Sequence, residues 1–316
     1  MISHELKIGT RGSQLALVQA NWVKERLLQT HPDLTITLVT IKTTGDKIQD
    51  APLAKIGGKG LFVKEIEEAL IQKKVDLAVH SVKDVPTELP VELHLFAITK
   101  REDPRDVFIA RNVKSLSDLP QGAKLGTSSL RRQAQLLHFR RDLALIPLRG
   151  NLDTRLKKLE KMNLDGIILA LAGVKRLGFE SRITEIISTE ISLPAIGQGA
   201  LGIETRKGDK AVEERIEFLN DPPSAFAISA ERAFLKKLEG GCQVPIAAFA
   251  QVIDSKLRIN GLVGTVDGKK LIKHHLDGTT DQAVSLGTEL AEILLKKGAR
   301  EILEEIYQKS APTVSI

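Results

Sequence analysis

Cysteine is nearly absent from this chain: Cys242 is the only one in 316 residues. One thiol closes no internal disulfide, and no cluster of ligand-type residues surrounds it, so a zinc site is not indicated. The seven histidines show no His-Glu-x-x-His or related spacing, and no metal is assigned. Aromatic residues make up only 3%. That disfavours nucleic-acid binding by base stacking and leaves the core to Leu, Ile, Val and Ala. No run approaches the ~20 apolar residues of a membrane helix. Met1 to Thr10 lacks the layout of a signal peptide, so the expected address is the cytoplasm. No Gly-x-x-x-x-Gly-Lys-Ser/Thr run occurs, and nucleoside triphosphate chemistry is not signalled.

What is present is an ordinary globular balance, with 42% hydrophobic and 27% charged residues. The length points to two or three domains. Short apolar runs alternate with helical patterns. Strands are read at Leu6–Ile8, Thr35–Ile41, Leu77–His80, Lys124–Gly126, Ala144–Leu148 and Gly166–Leu171. Helices are read at Leu15–Leu28, Val63–Gln72, Leu130–Phe139 and Asp153–Lys161. This alternation indicates α/β lobes with mainly parallel, mixed sheets covered by helices. The pattern restarts near residue 105, and Gly9 to Ser13 is echoed by Gly126 to Ser129 ahead of a helix. Two similar lobes with a cleft between them follow, one from residues 1–99 with 200–217 and one from 105–193. Gly197 to Gly202 reads as the crossing or hinge. After Pro222-Pro223, a helix over Ser224–Leu238, three strands and a helix over Asp281–Lys297 make a small α+β domain spanning 222–316. Lys296 to Arg300 reads as a helix end. Thr43 to Gly60, rich in Gly and Lys, reads as a lid over a site.

The positive balance, 46 Lys and Arg against 40 Asp and Glu, is informative through its placement. Arg11, Lys83, Arg131, Arg132, Arg149, Arg155 and Arg176 all fall just after strands or at helix starts. Ligands of open α/β sheets collect there, where helix amino termini present free N–H groups. Ser13, Thr127, Ser128 and Ser129 add hydroxyls. Arg binds carboxylates through a planar two-pronged fork, so the expectation is a cleft for an anion with several carboxylate or phosphate groups. Asp84 follows a strand in His80-Ser81-Val82-Lys83-Asp84-Val85-Pro86 and could stabilise a cation or handle protons; a turn aspartate before proline is the plainer reading. Cys242, in Glu239-Gly240-Gly241-Cys242, sits among glycines and a following proline whose composition reads as a loop that could leave its thiol reachable, while a lone cysteine is more often an inert core residue. His80 and Trp22 read as packing residues. Three functions fit so far: an enzyme, a two-lobed anion binder without catalysis, and a nucleic-acid binder motivated by charge alone.

The motifs taken together resemble those of the porphobilinogen deaminases along essentially the whole chain. They are Ile8 to Ala16, Lys55 to Phe62, Ala78 to Pro86, Gly126 to Arg132, Arg149-Gly150-Asn151 with Arg155, Pro194 to Gly202, and Glu239 to Cys242. The resemblance implies two periplasmic-binding-protein-like lobes around the active cleft, plus a third domain carrying the cofactor cysteine. It implies a dipyrromethane joined to Cys242 by a thioether, which primes the addition of four porphobilinogens before water releases hydroxymethylbilane. Asp84 becomes the catalytic group, stabilising the azafulvene-type cation as ammonia leaves. Lys83, Asp84, Thr127, Ser128, Ser129, Arg131, Arg132 and Arg155 would hold the cofactor. Arg11, Ser13, Arg149, Arg155, Arg176 and Gln198 would hold substrate, and Lys55, Lys59 and Phe62 would belong to the lid. The partners implied are porphobilinogen and the growing polypyrrole, with no nucleic acid and no membrane, on a monomer. Ile196 stands where the family carries proline in its Gly-Gln-Gly turn.

Overall fold

The computed structural model describes residues 4–47, 60–241 and 244–310. Its first lobe is built on a five-stranded sheet of order β2-β1-β3-β10-β4. The strands are β1 (Glu5–Thr10), β2 (Thr35–Thr40), β3 (Leu77–Ser81), β4 (Leu93–Ile98) and β10 (Leu201–Arg206). Helix α1 (Gln14–Thr30) starts where the Ser13 hydroxyl accepts from the Ala16 N–H, satisfying one free amide of the first turn. It buries Ala20, Val23 and Leu27 against Leu6, Ile8, Leu77, Val79 and Ile203. A short helix α2 (Thr44–Lys47) follows β2, and α3 (Lys64–Ile71) covers the other face through Ile66, Ala69 and Leu70.

The second lobe repeats the plan with order β7-β6-β8-β5-β9. Its strands are β5 (Asp106–Ala110), β6 (Lys124–Gly126), β7 (Ala144–Ile146), β8 (Gly166–Ala170) and β9 (Glu185–Ile186); its helices are α4 (Leu130–Phe139), α5 (Leu152–Lys161) and α6 (Leu171–Arg176). Alternate residues of β5 and β8 enter different cores. Val107, Ile109, Ile167 and Leu169 face α5, while Phe108 and Ile168 pack with Leu125 and Leu136. A sheet covered on both faces explains these unbroken apolar runs.

In both sheets two pairings are parallel and two antiparallel, so the balance is even rather than mainly parallel. The antiparallel members include β4, β5 and β10, none of which the alternation flagged. Gly197 to Ala200 does form the crossing, but Leu201 and Gly202 already belong to β10, which lies between β3 and β4 in the first sheet. Trp22 is also corrected: it is 39% exposed on α1, with the Arg26 guanidinium 5.6 Å from its ring.

Beyond α7 (Lys210–Ile216), the C-terminal unit is an antiparallel meander of β11 (Ile246–Ile253), β12 (Lys256–Gly264) and β13 (Leu271–Thr279). Two helices, α8 (Pro222–Lys237) and α9 (Ala283–Leu294), pack on it around Phe234 and Leu290. Ile196 of the crossing segment is buried in this same core. Lys296 to Arg300 is a junction rather than an end: Gly298 turns with φ 101°, and α10 (Arg300–Ser310) continues. That backbone region is open to glycine at little cost. The α8–α9 contact is closest at Gly287, where a Cβ would collide with the Ala230 carbonyl. Gly287→Ala is expected to lower stability by about 1–3 kcal/mol, read as a lower denaturation midpoint in urea.

One carboxylate ties the C-terminal unit to the segments that join the two lobes. Glu231 of α8 is fully buried and accepts from Arg101, from the Gly197 N–H at 2.7 Å and from the Ala250 N–H at 2.7 Å. Among the described residues no helix is long and apolar enough to cross a membrane.

Candidate active site

The site begins where β3 ends. Its residues Leu77 to His80 are buried, and a single 3₁₀ turn, Val82–Asp84, carries the chain out of the sheet. The turn is held from several sides. Gln19 and Ser81 hydrogen-bond through their side chains at 3.0 Å, and the Val82 N–H donates to Ala200 O at 3.1 Å. Downstream, Arg232 of α8 donates to the carbonyls of Val85 at 3.2 Å and Pro86 at 2.7 Å. Lys83 and Asp84 are both exposed. Loss of hydration among the surrounding protein groups nonetheless acts on the Lys83 ammonium. That loss lowers the Lys83 pKa to about 8; Asp84 opposes it, and Arg132 and Arg155 lower it further.

The facing wall comes from the second lobe. Ser129 caps α4 by accepting from the Arg132 N–H, and the Thr127 hydroxyl accepts from the Ser129 N–H at 3.2 Å. Ser128 hydrogen-bonds both the N–H and the carbonyl of Leu148, joining this loop to the strand beside it. Arg132 donates to Asp106 at 2.7 Å and to Ile168 O at 3.0 Å, and its buried Nε has no partner among the described residues. Arg155 donates through Nε to Gly150 O. Its pKa is lowered to about 10, mainly by burial and then by Arg132, with Arg149 adding and Asp84 opposing. Lys83, Asp84, Arg132, Arg149 and Arg155 therefore share one electrostatic field. Asp84 accepts no hydrogen bond from the described residues.

Two candidate ligand-binding side chains have a different task. Arg131 is directed at Asp106, Ser192 and Leu193 O, and Gln198 at Asp106 and Pro104 O. Both are almost wholly buried. Their common partner, Asp106, was not singled out from the sequence, although an acid heading the apolar run Val107–Ala110 is a visible signal. Burial pushes its carboxyl up, but Arg131 and Arg132 overcome this and hold it far below the ordinary carboxylate range.

Other candidates lie around the rim. Arg11 pairs with Asp46 and stands 4.3 Å from the Phe62 ring. Burial raises the Asp46 pKa, but hydrogen bonds from Arg11 and Thr43 and the Arg11 charge together bring it below the ordinary value. Arg176 donates to Gly199 O at 2.7 Å, at the crossing between lobes. Ser13 serves as the α1 cap. Cys242, Lys55 and Lys59 lie outside the described residues. Among those described, no group of three or more His, Cys, Asp or Glu is placed to hold a metal ion.

Fold and site together define a two-lobed α/β protein whose lobes bring Lys83, Arg132, Arg149 and Arg155 into electrostatic range of one another and of the acid Asp84. The dipyromethane cofactor binding domain of porphobilinogen deaminase matches residues 6–214, and that enzyme's C-terminal domain matches residues 225–296. Porphobilinogen deaminase of Geobacter sp. (strain M21) is 56% identical over 98% of this chain and 97% of its own length. That of Pelobacter propionicus is 55% identical over 98% and 99%. Among solved structures, the methionine binding protein MetQ is similar over 68% of this chain and 87% of its own, at 13% identity and a TM-score of 0.44, a loose likeness on which nothing below rests. The chain belongs to the porphobilinogen deaminase family. It is a transferase of tetrapyrrole biosynthesis that condenses porphobilinogen units stepwise on a covalently bound dipyrromethane and releases linear hydroxymethylbilane.

The residues present fit that cofactor. A buried guanidinium Nε without a partner, on Arg132, is a donor awaiting an acceptor, and Lys83 and Arg155 stand beside it as further cations for acidic side chains.

Proposed function

We propose that Asp84 is the catalytic carboxylate of this condensation. The observation that carries the reading is its position: exposed at the carboxyl end of β3, amid the charges of Lys83, Arg132 and Arg155, and unengaged by the described residues. Porphobilinogen loses ammonia, and positive charge develops on its pyrrole ring. A fixed carboxylate beside that ring stabilises the charge without reorganising, which is electrostatic catalysis of the strongest common kind. The same oxygens can accept from pyrrole N–H groups and hold the ring in place.

Each porphobilinogen brings an acetate and a propionate. Lys83, Ser129, Arg132 and Arg155, with Thr127 and Ser128 shaping the loop, would hold those of the dipyrromethane. Arg11, Ser13, Arg149, Arg155 and Arg176 would receive the incoming unit, with Lys55, Lys59 and Phe62 on the lid side. Arg131 and Gln198 contribute by fixing Asp106, and through it Arg132. When bound, the dipyrromethane supplies the pyrrole carbon to which the first new unit is joined. Its anchor is Cys242. The division into 1–99 with 200–217, 105–193 and 222–316 follows the same reading, as do a monomeric state and a cytoplasmic address.

Ammonia release from porphobilinogen by the purified protein tests the reaction, and denaturing mass measurement tests the anchor. Cys242→Ser is expected to show the bare sequence mass, where wild type carries one dipyrromethane in addition. Pyrroles retained on the serine variant would move the anchor elsewhere.

A further inference from the structure

Behind the catalytic turn lies a second set of ionisable side chains that the steps above do not use. His80 of β3 is 5% exposed, and its Nε2 lies 2.9 Å from Oε2 of Glu204 on β10. Glu204 is fully buried, and its other oxygen, Oε1, has no hydrogen-bond partner among the described residues. Glu67 of α3, 7% exposed, likewise has a buried Oε1 without a partner. Two unpartnered carboxylate oxygens in one core are costly unless a proton lies with them. Burial raises the Glu67 pKa to about 7, Glu204 adds to the rise and His80 opposes it.

The set is mechanically joined to the cleft. β3 and β10 pair with His80 opposite Gly202 and Ser81 opposite Leu201, and Asp84 lies three residues beyond Ser81. Arg232, which grips the carbonyls after Asp84, also feels the Glu204 charge.

We propose that Glu67, Glu204 and His80 form a positioning site, in which a proton held on buried Glu67 preserves the His80–Glu204 contact between β3 and β10 and so aims the Lys83–Asp84 turn. This rests on Asp84 being the catalytic group. The groups facing Glu67 are Glu204 from β10, His80 from β3 and Glu68 from its own helix. β1 meets α3 through Gly9 and Ile66, and Arg206 of β10 binds the Leu70 and Val75 carbonyls at the far end of α3. Because the folded state holds the Glu67 proton to higher pH than the unfolded chain, its contribution is full at low pH and is lost as pH rises through about 7.

The test compares the wild-type holoenzyme with Glu67→Gln, whose amide mimics the protonated acid. Thermal midpoint, kcat and KM are followed from about pH 5 to pH 9. Wild type is expected to lose stability and kcat through one ionisation near neutrality. The variant is expected to lose that ionisation in both profiles, with kcat at about pH 6 and KM each within roughly twofold of wild type. A kcat profile superimposable on wild type overturns the proposal, whether or not the midpoint moves. Should Glu67→Gln fail to fold, Glu204→Gln removes the neighbour that raises Glu67, and the ionisation is expected at lower pH; an unmoved ionisation overturns the proposal equally. Error in the role of Asp84 would show separately, as wild-type turnover in Asp84→Asn, and would leave the pH dependence of the midpoint intact.

Discussion

Asp84→Asn holoenzyme is expected to release ammonia from porphobilinogen at roughly a hundredth to a thousandth of the wild-type rate, with KM changed far less. The amide keeps the shape of the carboxyl and can still accept a hydrogen bond. It loses the negative charge that the cation on the substrate requires. Because Lys83, Arg132 and Arg155 surround this position, its replacement leaves an uncompensated cationic cleft, hostile to a developing cation but still attractive to carboxylates. The loss should therefore fall on kcat and not on binding. Rapid-quench measurement of the first ammonia released separates the chemical step from later release of product. Turnover within threefold of wild type would remove Asp84 from the role.

Asp106→Ala is expected to be the most damaging single change to stability, at about 3–5 kcal/mol. Asp106 is fully buried and ion-paired with both Arg131 and Arg132, with Ser192 and Gln198 donating as well. Removing it strands two guanidinium groups in the interior. The sign of the pH dependence follows from the depressed pKa. The contribution of Asp106 is present above the ordinary carboxylate range and is lost as pH falls below it, so the acid limb of the stability curve should be shallower in the variant. Urea unfolding at neutral and acid pH measures both effects. Arg132 also loses its anchor, and KM should rise. Unfolding midpoints equal to wild type would mean that the paired arginines find other partners.

The helices and the parallel strands were legible because each carries its own periodicity and its own stop signals. Leu130–Phe139 and Lys124–Gly126 coincide with their elements, and the Pro222-Pro223 boundary does open a helix. The antiparallel strands β4, β5 and β10 were not, since their partners lie far away in sequence and pairing, not pattern, defines them. The candidate site was legible as a set of residue types after strands. Which arginines face a ligand was not, because that depends on a distant counter-charge. Arg131 and Arg132 are adjacent and alike in sequence and both pair with Asp106, but only Arg131 also donates to Ser192 and Leu193 O, while the Arg132 Nε has no partner among the described residues. His80 was rightly read as packed, but its Glu204 partner lies 124 residues away, beyond the reach of any local pattern.

The position of β10 carries a consequence for how this chain is made. It lies between β3 and β4 in the interior of the first sheet, yet it is translated after the whole second lobe. A ribosome that has emitted the first hundred residues has delivered a sheet with an interior strand missing, and two unpaired strand edges stand open to other chains. Domains that finish in order of synthesis can be released one at a time; here the amino-terminal lobe must wait for the other. Chains truncated just before Leu201 should therefore aggregate rather than accumulate as a folded half-protein, and a chaperone holding the nascent first lobe would be needed longest there.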